Sequence, residues 1–159
     1  MATARVPLAL TVPSDDGNAY PYVLASTTRQ MYFALDFAAD GRWHFRGMVP
    51  ENYSSTPSIV VVYCANNTTA SREARIAVEA AAIADAEDQD PTLSTVETLD
   101  VTAPTTAYLQ DRATFDASMP TLAAGDVLIG AVYRDADHAN DDLAVDFLIA
   151  EVYLEYTTT

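Results

Sequence analysis

The chain has 159 residues, half of them hydrophobic, with 23 Asp and Glu against eight arginines, no lysine and a formal net charge of −15. That length supplies one domain with a core of its own, whereas two domains of half the size would each be too small. The charge disfavours nucleic acid and anionic membranes as partners, because non-specific affinity for phosphate backbones comes from Lys and Arg. Acid-rich, lysine-free composition also occurs in salt-adapted proteins and GC-rich genomes, so part of it can reflect the source and not the task.

The chain opens "MATARVPLALTVPSDDG", where one arginine precedes a short apolar run broken by Pro7 and Pro13. This does not read as a signal-peptide core, and no apolar run in the sequence approaches the roughly 20 residues needed to span a bilayer. Val6, Leu8, Leu10 and Val12 alternate on one face, while the two prolines confine such a strand to a sheet edge. The expectation is that residues 1–13 reach outward as an arm, adding to a sheet edge or groove on a neighbouring molecule. Residues 1–28 then form an arm and lead-in, and residues 29–159 the domain.

Next, "RQMYFALDFAADGRWHFRGMVP" places Met31, Phe33, Leu35 and Phe37 at period two, then an Asp40-Gly41 turn, then Trp43 and Phe45. This pattern predicts two strands joined by a hairpin, with His44 facing solvent between inward-facing rings. "SIVVVYCA" predicts a short, continuously apolar strand ending at Asn66-Asn67. Its Cys64 is the only cysteine in the chain, which precludes an intrachain disulfide, and it reads as a small buried hydrophobe. Asn52, Asn66 and Asn67 begin N-x-S/T sequons, which carry little weight without a secretion signal.

The stretch "SREARIAVEAAAIADAED" is alanine-rich and looks helical by propensity. Its even positions from Ala74 to Ala86 are all apolar, however, and the charges Glu73, Arg75, Glu79, Asp85 and Glu87 are all odd. A strand at period two gives that segregation, whereas a helix would scatter the charges around its circumference. Residues 73–86 are therefore predicted as a strand. Further strands are expected near 94–102 and 106–115, bounded by Pro91 and Pro104, and then in "GDVLIGAVYRD" and "LAVDFLIAEVYLEY", which a polar hairpin loop at 135–142 separates. Eight antiparallel strands without a helix predict an all-β, single-domain sandwich of jelly-roll type.

Chemistry-bearing residues are sparse. The two histidines, His44 and His138, and the lone cysteine belong to no catalytic motif, so no enzyme activity and no cofactor are expected. Asp135, Asp137, Asn140, Asp141 and Asp142 cluster the hard oxygens that Ca²⁺ prefers. The EF-hand pattern nevertheless fails at Ala139 and at the missing glycine, so a solvated loop is expected and no metal site is assigned. Tyr20, Tyr22, Trp43 and Tyr53 are candidates for a glycan-stacking platform, or alternatively core and interface aromatics.

The succession of "WHFRGMVPENY", an apolar strand, a long alternating strand ending "AIADAED", then "LAAGDVLIGAVYRD" and "DFLIAEVYLEY" resembles small jelly-roll structural proteins of tailed bacteriophages, over about residues 29–156. The resemblance implies a virion protein, in first place an external capsid decoration protein on the capsid surface, made in the host cytoplasm. It would bind the major capsid protein and copies of itself, a trimer among the options. The alternative is a host-recognition module on a fibre or tail that binds surface glycans through its aromatic residues.

Overall fold

The structure is a computed structural model and describes residues 2–13, 17–24, 30–66 and 72–159. These residues form eleven strands and no helix: β1 (Thr3–Pro7), β2 (Ala9–Pro13), β3 (Ala19–Val23), β4 (Met31–Leu35), β5 (Gly41–Met48), β6 (Tyr53–Ala65), β7 (Glu73–Ile83), β8 (Ser94–Thr102), β9 (Asp111–Phe115), β10 (Val127–Arg134) and β11 (Phe147–Thr158). Strands β4 to β11 correspond to the eight expected from sequence; β1, β2 and β3 are additional. The alanine-rich segment is strand β7. Ala74, Ile76, Val78 and Ala80 are buried, while Glu73, Arg75 and Glu79 point away from the core. Period-two segregation of charge thus overrides helix propensity, because burying that face against a second sheet gains more than alanine's preference loses.

The strands form two antiparallel sheets packed face to face, which confirms the jelly-roll β-sandwich. One sheet runs β3-β4-β11-β6-β9, with β1 also paired to β11; the other runs β2-β5-β10-β7-β8. Long β11 serves two partners along its length, pairing β4 over Phe147–Ile149 and β1 over Tyr153–Thr157. β4 and β5 are not a hairpin, since they lie in different sheets and residues 36–40 carry the chain across the sandwich. The same holds for β10 and β11, so the acidic loop 135–146 is a crossing and not a hairpin loop. Local turn residues are compatible with either connection, and only the position of the second sheet decides between them.

The N-terminal segment also departs from expectation. It is no outward arm: β1 pairs with β11 of one sheet and β2 with β5 of the other, the chain changing sheets at Leu8. The Leu8 N–H donates to Val152 O at 2.8 Å, and its side chain is buried. It seats on Gly47, where an added Cβ would lie 2.4 Å from Leu8 Cδ2, so that glycine clears the space. Val6 and Leu10 pack against the same core, whereas the Val12 side chain lies outside the described residues. Pro7 and Pro13 do mark edge strands, as the sequence implied, but the edges belong to this molecule.

One continuous core fills the space between the sheets. β11 contributes Phe147 and Ile149, then Val152, Leu154 and Tyr156, a switch from odd to even positions. A register shift between Ile149 and Glu151 in the β11–β6 ladder produces it, since one extra residue in a strand turns the following side chains to the other face. Trp43 ties the sheets together: its ring meets Phe33 edge-on at 5.0 Å, and its Nε1–H donates to Ala34 O across the sandwich at 2.9 Å.

Candidate functional site

The structure separates the four candidate aromatics. Trp43 is buried in the core and presents no surface, while Tyr20 and Tyr22 lie together on the outer face of β3. Tyr53 stands apart, at the start of β6, with its ring tilted on Tyr156 at 5.9 Å. Four rings on one platform are therefore not formed. His44 is half-exposed between buried Trp43 and Phe45, as the alternation predicted. Cys64 is fully buried, and burial pushes its thiol up to about 11, so it is an inert hydrophobe.

Tyr53 lines a cleft of about 450 Å³. One wall is the opening of β6, with Tyr53, Thr56, Pro57 and Ser58; the other is the segment after β9, with Asp116, Met119, Pro120, Thr121 and Leu122. The β6 wall is irregular. Thr56 has φ +52°, which is costly for a β-branched residue, and Pro57 offers no N–H to the ladder. The β11–β6 register slips here, from Glu155↔Ser58 to Thr157↔Ser55. The Thr56 hydroxyl is held by that of Thr157. Strained bulges of this kind gather at functional sites because they re-aim side chains.

Two polar groups in this cleft are uncommitted. The Tyr53 hydroxyl and the Asp116 carboxylate form no hydrogen bond among the described residues, although the Asp116 N–H donates to Glu97. Burial raises the Tyr53 pKa, so its hydroxyl is a neutral donor and acceptor. Around these two stand apolar Met119, Leu122, Pro57 and Pro120. A half-buried ring, a free carboxylate and apolar walls suit a ligand with hydroxyls on its rim and C–H groups on its faces.

Two other clefts are less suited. One of about 390 Å³ contains Glu87 and Asp126, but both carboxylates are used internally, accepting from the Ala84 and Ala123 N–H groups. Another, of about 380 Å³ on the outer face of β5 and β10, is lined by His44, Arg46, Gln89 and Asp90 without an aromatic platform beyond the edge of Phe45.

The acidic loop is committed to the fold. Buried Arg134 uses all five of its N–H donors: Nε and Nη2 to Asp141 at 2.9 and 2.7 Å, Nη1 to Asp36 O and Val145 O, and Nη2 to Leu143 O. Asp141 also accepts from Arg75 N, and Asp142 from Glu73 N and Arg72. The Glu73 N–H, followed by Arg72, holds the Asp142 carboxyl below the usual range. Among the described residues no three His, Cys, Asp or Glu side chains converge to hold a metal.

A second surface belongs to the outer face of the six-stranded sheet. Tyr20 and Tyr22 cover Tyr32, Ala34, Cys64 and Leu148, and the loop 103–110 folds over the same spot. The Tyr20 hydroxyl donates to buried Asp146 at 2.7 Å, burial and that carboxylate together raising its pKa. The Tyr22 and Tyr108 hydroxyls meet at 3.1 Å; this contact, then burial, takes Tyr108 up to about 12. Tyr108 has φ +61° and its N–H donates to Ala65 O, so the loop is fixed to the sheet.

No protein-family model and no curated protein matches the chain. Solved structures do. The native structure of a family 35 carbohydrate binding module from Clostridium thermocellum superimposes with a TM-score of 0.57 at 17% identity, over 95% of this chain and 97% of that one. The Arthrobacter globiformis T6 isomalto-dextranase complexed with panose superimposes with a TM-score of 0.53 at 19% identity, over 96% of this chain and 23% of that one. The chain therefore has the jelly-roll sandwich fold found in carbohydrate-binding modules, and at such identities the likeness concerns the fold alone.

Asp116 and Thr56 were not legible as site residues. They are 60 positions apart in the sequence, in unremarkable "YSSTP" and "FDASMP" segments. The strand expected from "SIVVVYCA" begins only at Ser58, whereas β6 begins at Tyr53, so the irregular opening with Pro57 lay outside the expected strand.

Proposed function

We propose that the chain is a non-catalytic saccharide-binding module and that the Tyr53–Asp116 cleft holds a neutral sugar ring. The observation that carries this reading is the pair of uncommitted polar groups beside a half-buried ring, on a fold shared with carbohydrate-binding modules. The ring face of Tyr53 stacks on sugar C–H groups, and Asp116 accepts from adjacent hydroxyls, a charge-assisted hydrogen bond. No arginine or histidine lines the cleft, and a net charge of −15 opposes an acidic sugar.

Isothermal titration with cellohexaose, xylohexaose, mannohexaose and hexagalacturonate tests this. At least one neutral oligosaccharide should bind and hexagalacturonate should not, and Tyr53→Ala or Asp116→Ala should weaken binding roughly tenfold or more. Absence of binding by all three neutral probes counts against the reading.

A second reading is a structural role in a phage virion, in which many copies assemble on a capsid. Among the described residues, β3, β4 and loop 103–110 contain no charged residue, which favours an assembly role on an otherwise acidic molecule. Density distributed over the capsid lattice of purified particles would support it, and absence of the protein from particles would remove it.

A further inference from the structure

Two clefts at one end of the sandwich share a wall. Residues 49–52 carry the chain from Met48, the end of β5, to Tyr53, the start of β6. Met48 pairs with Val127, and Val127 with Ile83, so the ends of β5 and β7 and the starts of β6 and β10 all lie at that end. Residues 116–126 cross it, from β9 in one sheet to β10 in the other. Pro120 and Thr121, in the middle of this crossing, line both the Tyr53–Asp116 cleft and the cleft of about 390 Å³. The first cleft is completed by β6 of one sheet, the second by the end of β7 and the start of β8 in the other. The crossing is fixed: Met119 and Leu122 pack into the core, the Asp116 N–H donates to Glu97, and the Ala123 N–H donates to Asp126.

The second cleft repeats the chemistry of the first. The hydroxyls of Thr92, Ser94 and Thr121 form no hydrogen bond among the described residues. Glu87 and Asp126 each commit one carboxylate oxygen to a backbone N–H, and the other accepts from no described residue. Alanines at the end of β7 supply an apolar wall, and no arginine or histidine lines either cleft. Both volumes fall within the usual range of small-ligand sites, about 300–1,000 Å³.

We propose that the two clefts are successive subsites for one neutral oligosaccharide chain, which crosses the dividing segment at Pro120 and Thr121. This rests on the saccharide-binding reading of the Tyr53–Asp116 cleft and narrows its ligand to a chain of several rings, as against a single sugar. A saccharide chain presents hydroxyl rims and C–H faces again at each ring, which is what two clefts of like polarity on a common wall require. One ring in the first cleft would leave the second unfilled. The first subsite anchors the chain by stacking on Tyr53 and by the Asp116 carboxylate. The second then adds hydrogen bonds from Ser94 and Thr121 to a chain already held, the gain of a linked ligand at high effective concentration. Because the wall between them is preformed, binding loses little freedom there.

Amide chemical-shift titration of the full chain with the mono-, di-, tri- and hexasaccharides of a neutral series that binds tests the proposal, since it also reads weak affinities. Affinity should rise about tenfold or more from the monosaccharide to the hexasaccharide. The hexasaccharide should add the Ser94 and Thr121 amides to those that the monosaccharide perturbs around Tyr53 and Asp116. The double variant Ser94→Ala/Thr121→Ala should lower hexasaccharide affinity about tenfold by removing two hydrogen bonds. It should leave the monosaccharide affinity and the melting temperature unchanged, as both side chains are exposed. A monosaccharide that binds as tightly as the hexasaccharide, or a double variant that weakens neither or both alike, overturns the extended site while leaving the saccharide reading intact. Failure of every neutral series to bind removes that reading and the extended site together.

Discussion

Arg134 and Asp141 illustrate how a cluster of polar residues is to be weighed. In sequence, "RDADHANDD" reads as a solvated acidic loop with the oxygens of a cation site. In the structure an arginine with no exposed surface occupies that role, satisfied by both Asp141 oxygens and three backbone carbonyls. The arginine closing an apolar strand was the signal, because a cation at a buried strand end requires an anion within reach. Removing the anion leaves an uncompensated buried charge, so Asp141→Ala should cost about 3–5 kcal/mol in a denaturant melt. A loss within the ±0.5 kcal/mol typical of surface substitutions would mean the clasp is solvated and the loop only decorative.

At the scale of elements, the alternation pattern was legible and the pairing was not. Eight strands follow from apolar periodicity and turn residues, since both are local. The partner of each strand depends on the opposite sheet, which is why two expected hairpins are crossings between sheets. The N-terminal segment shows the same limit: its apolar face and edge prolines were visible, but the open flanks of β5 and β11 that receive it were not. β3 went unseen because "AYPYV" has a proline at its centre, which in a ladder is tolerated only at an edge. Since β1 and β2 complete both sheets, deleting residues 1–13 should destabilise the domain and not merely remove an attachment. Leu8→Ala alone should cost about 2–5 kcal/mol by the loss of a buried aliphatic side chain. A truncated chain that melts at the temperature of the full one would restore the picture of a free arm.

On the scale of the whole molecule, the sandwich separates three tasks. Its interior and the Arg134 clasp hold the fold; the cleft between the start of β6 and the segment after β9 offers a free carboxylate and an aromatic ring; the outer face of β3 and β4 ties the loop 103–110 to the sheet through Tyr22 and Tyr108. Of the cleft, the sequence singled out Tyr53 alone, because its partners are brought in by β9 and by a bulge that no local pattern announces. Amide chemical-shift mapping of the labelled protein, titrated with a neutral oligosaccharide that binds in calorimetry, tests the cleft assignment most directly. The account predicts perturbations concentrated at Tyr53, Thr56, Ser58, Asp116 and Leu122, and their loss in Tyr53→Ala. Perturbations confined to the outer face of β5 around His44 and Arg46, or to Tyr20 and Tyr22, would contradict it.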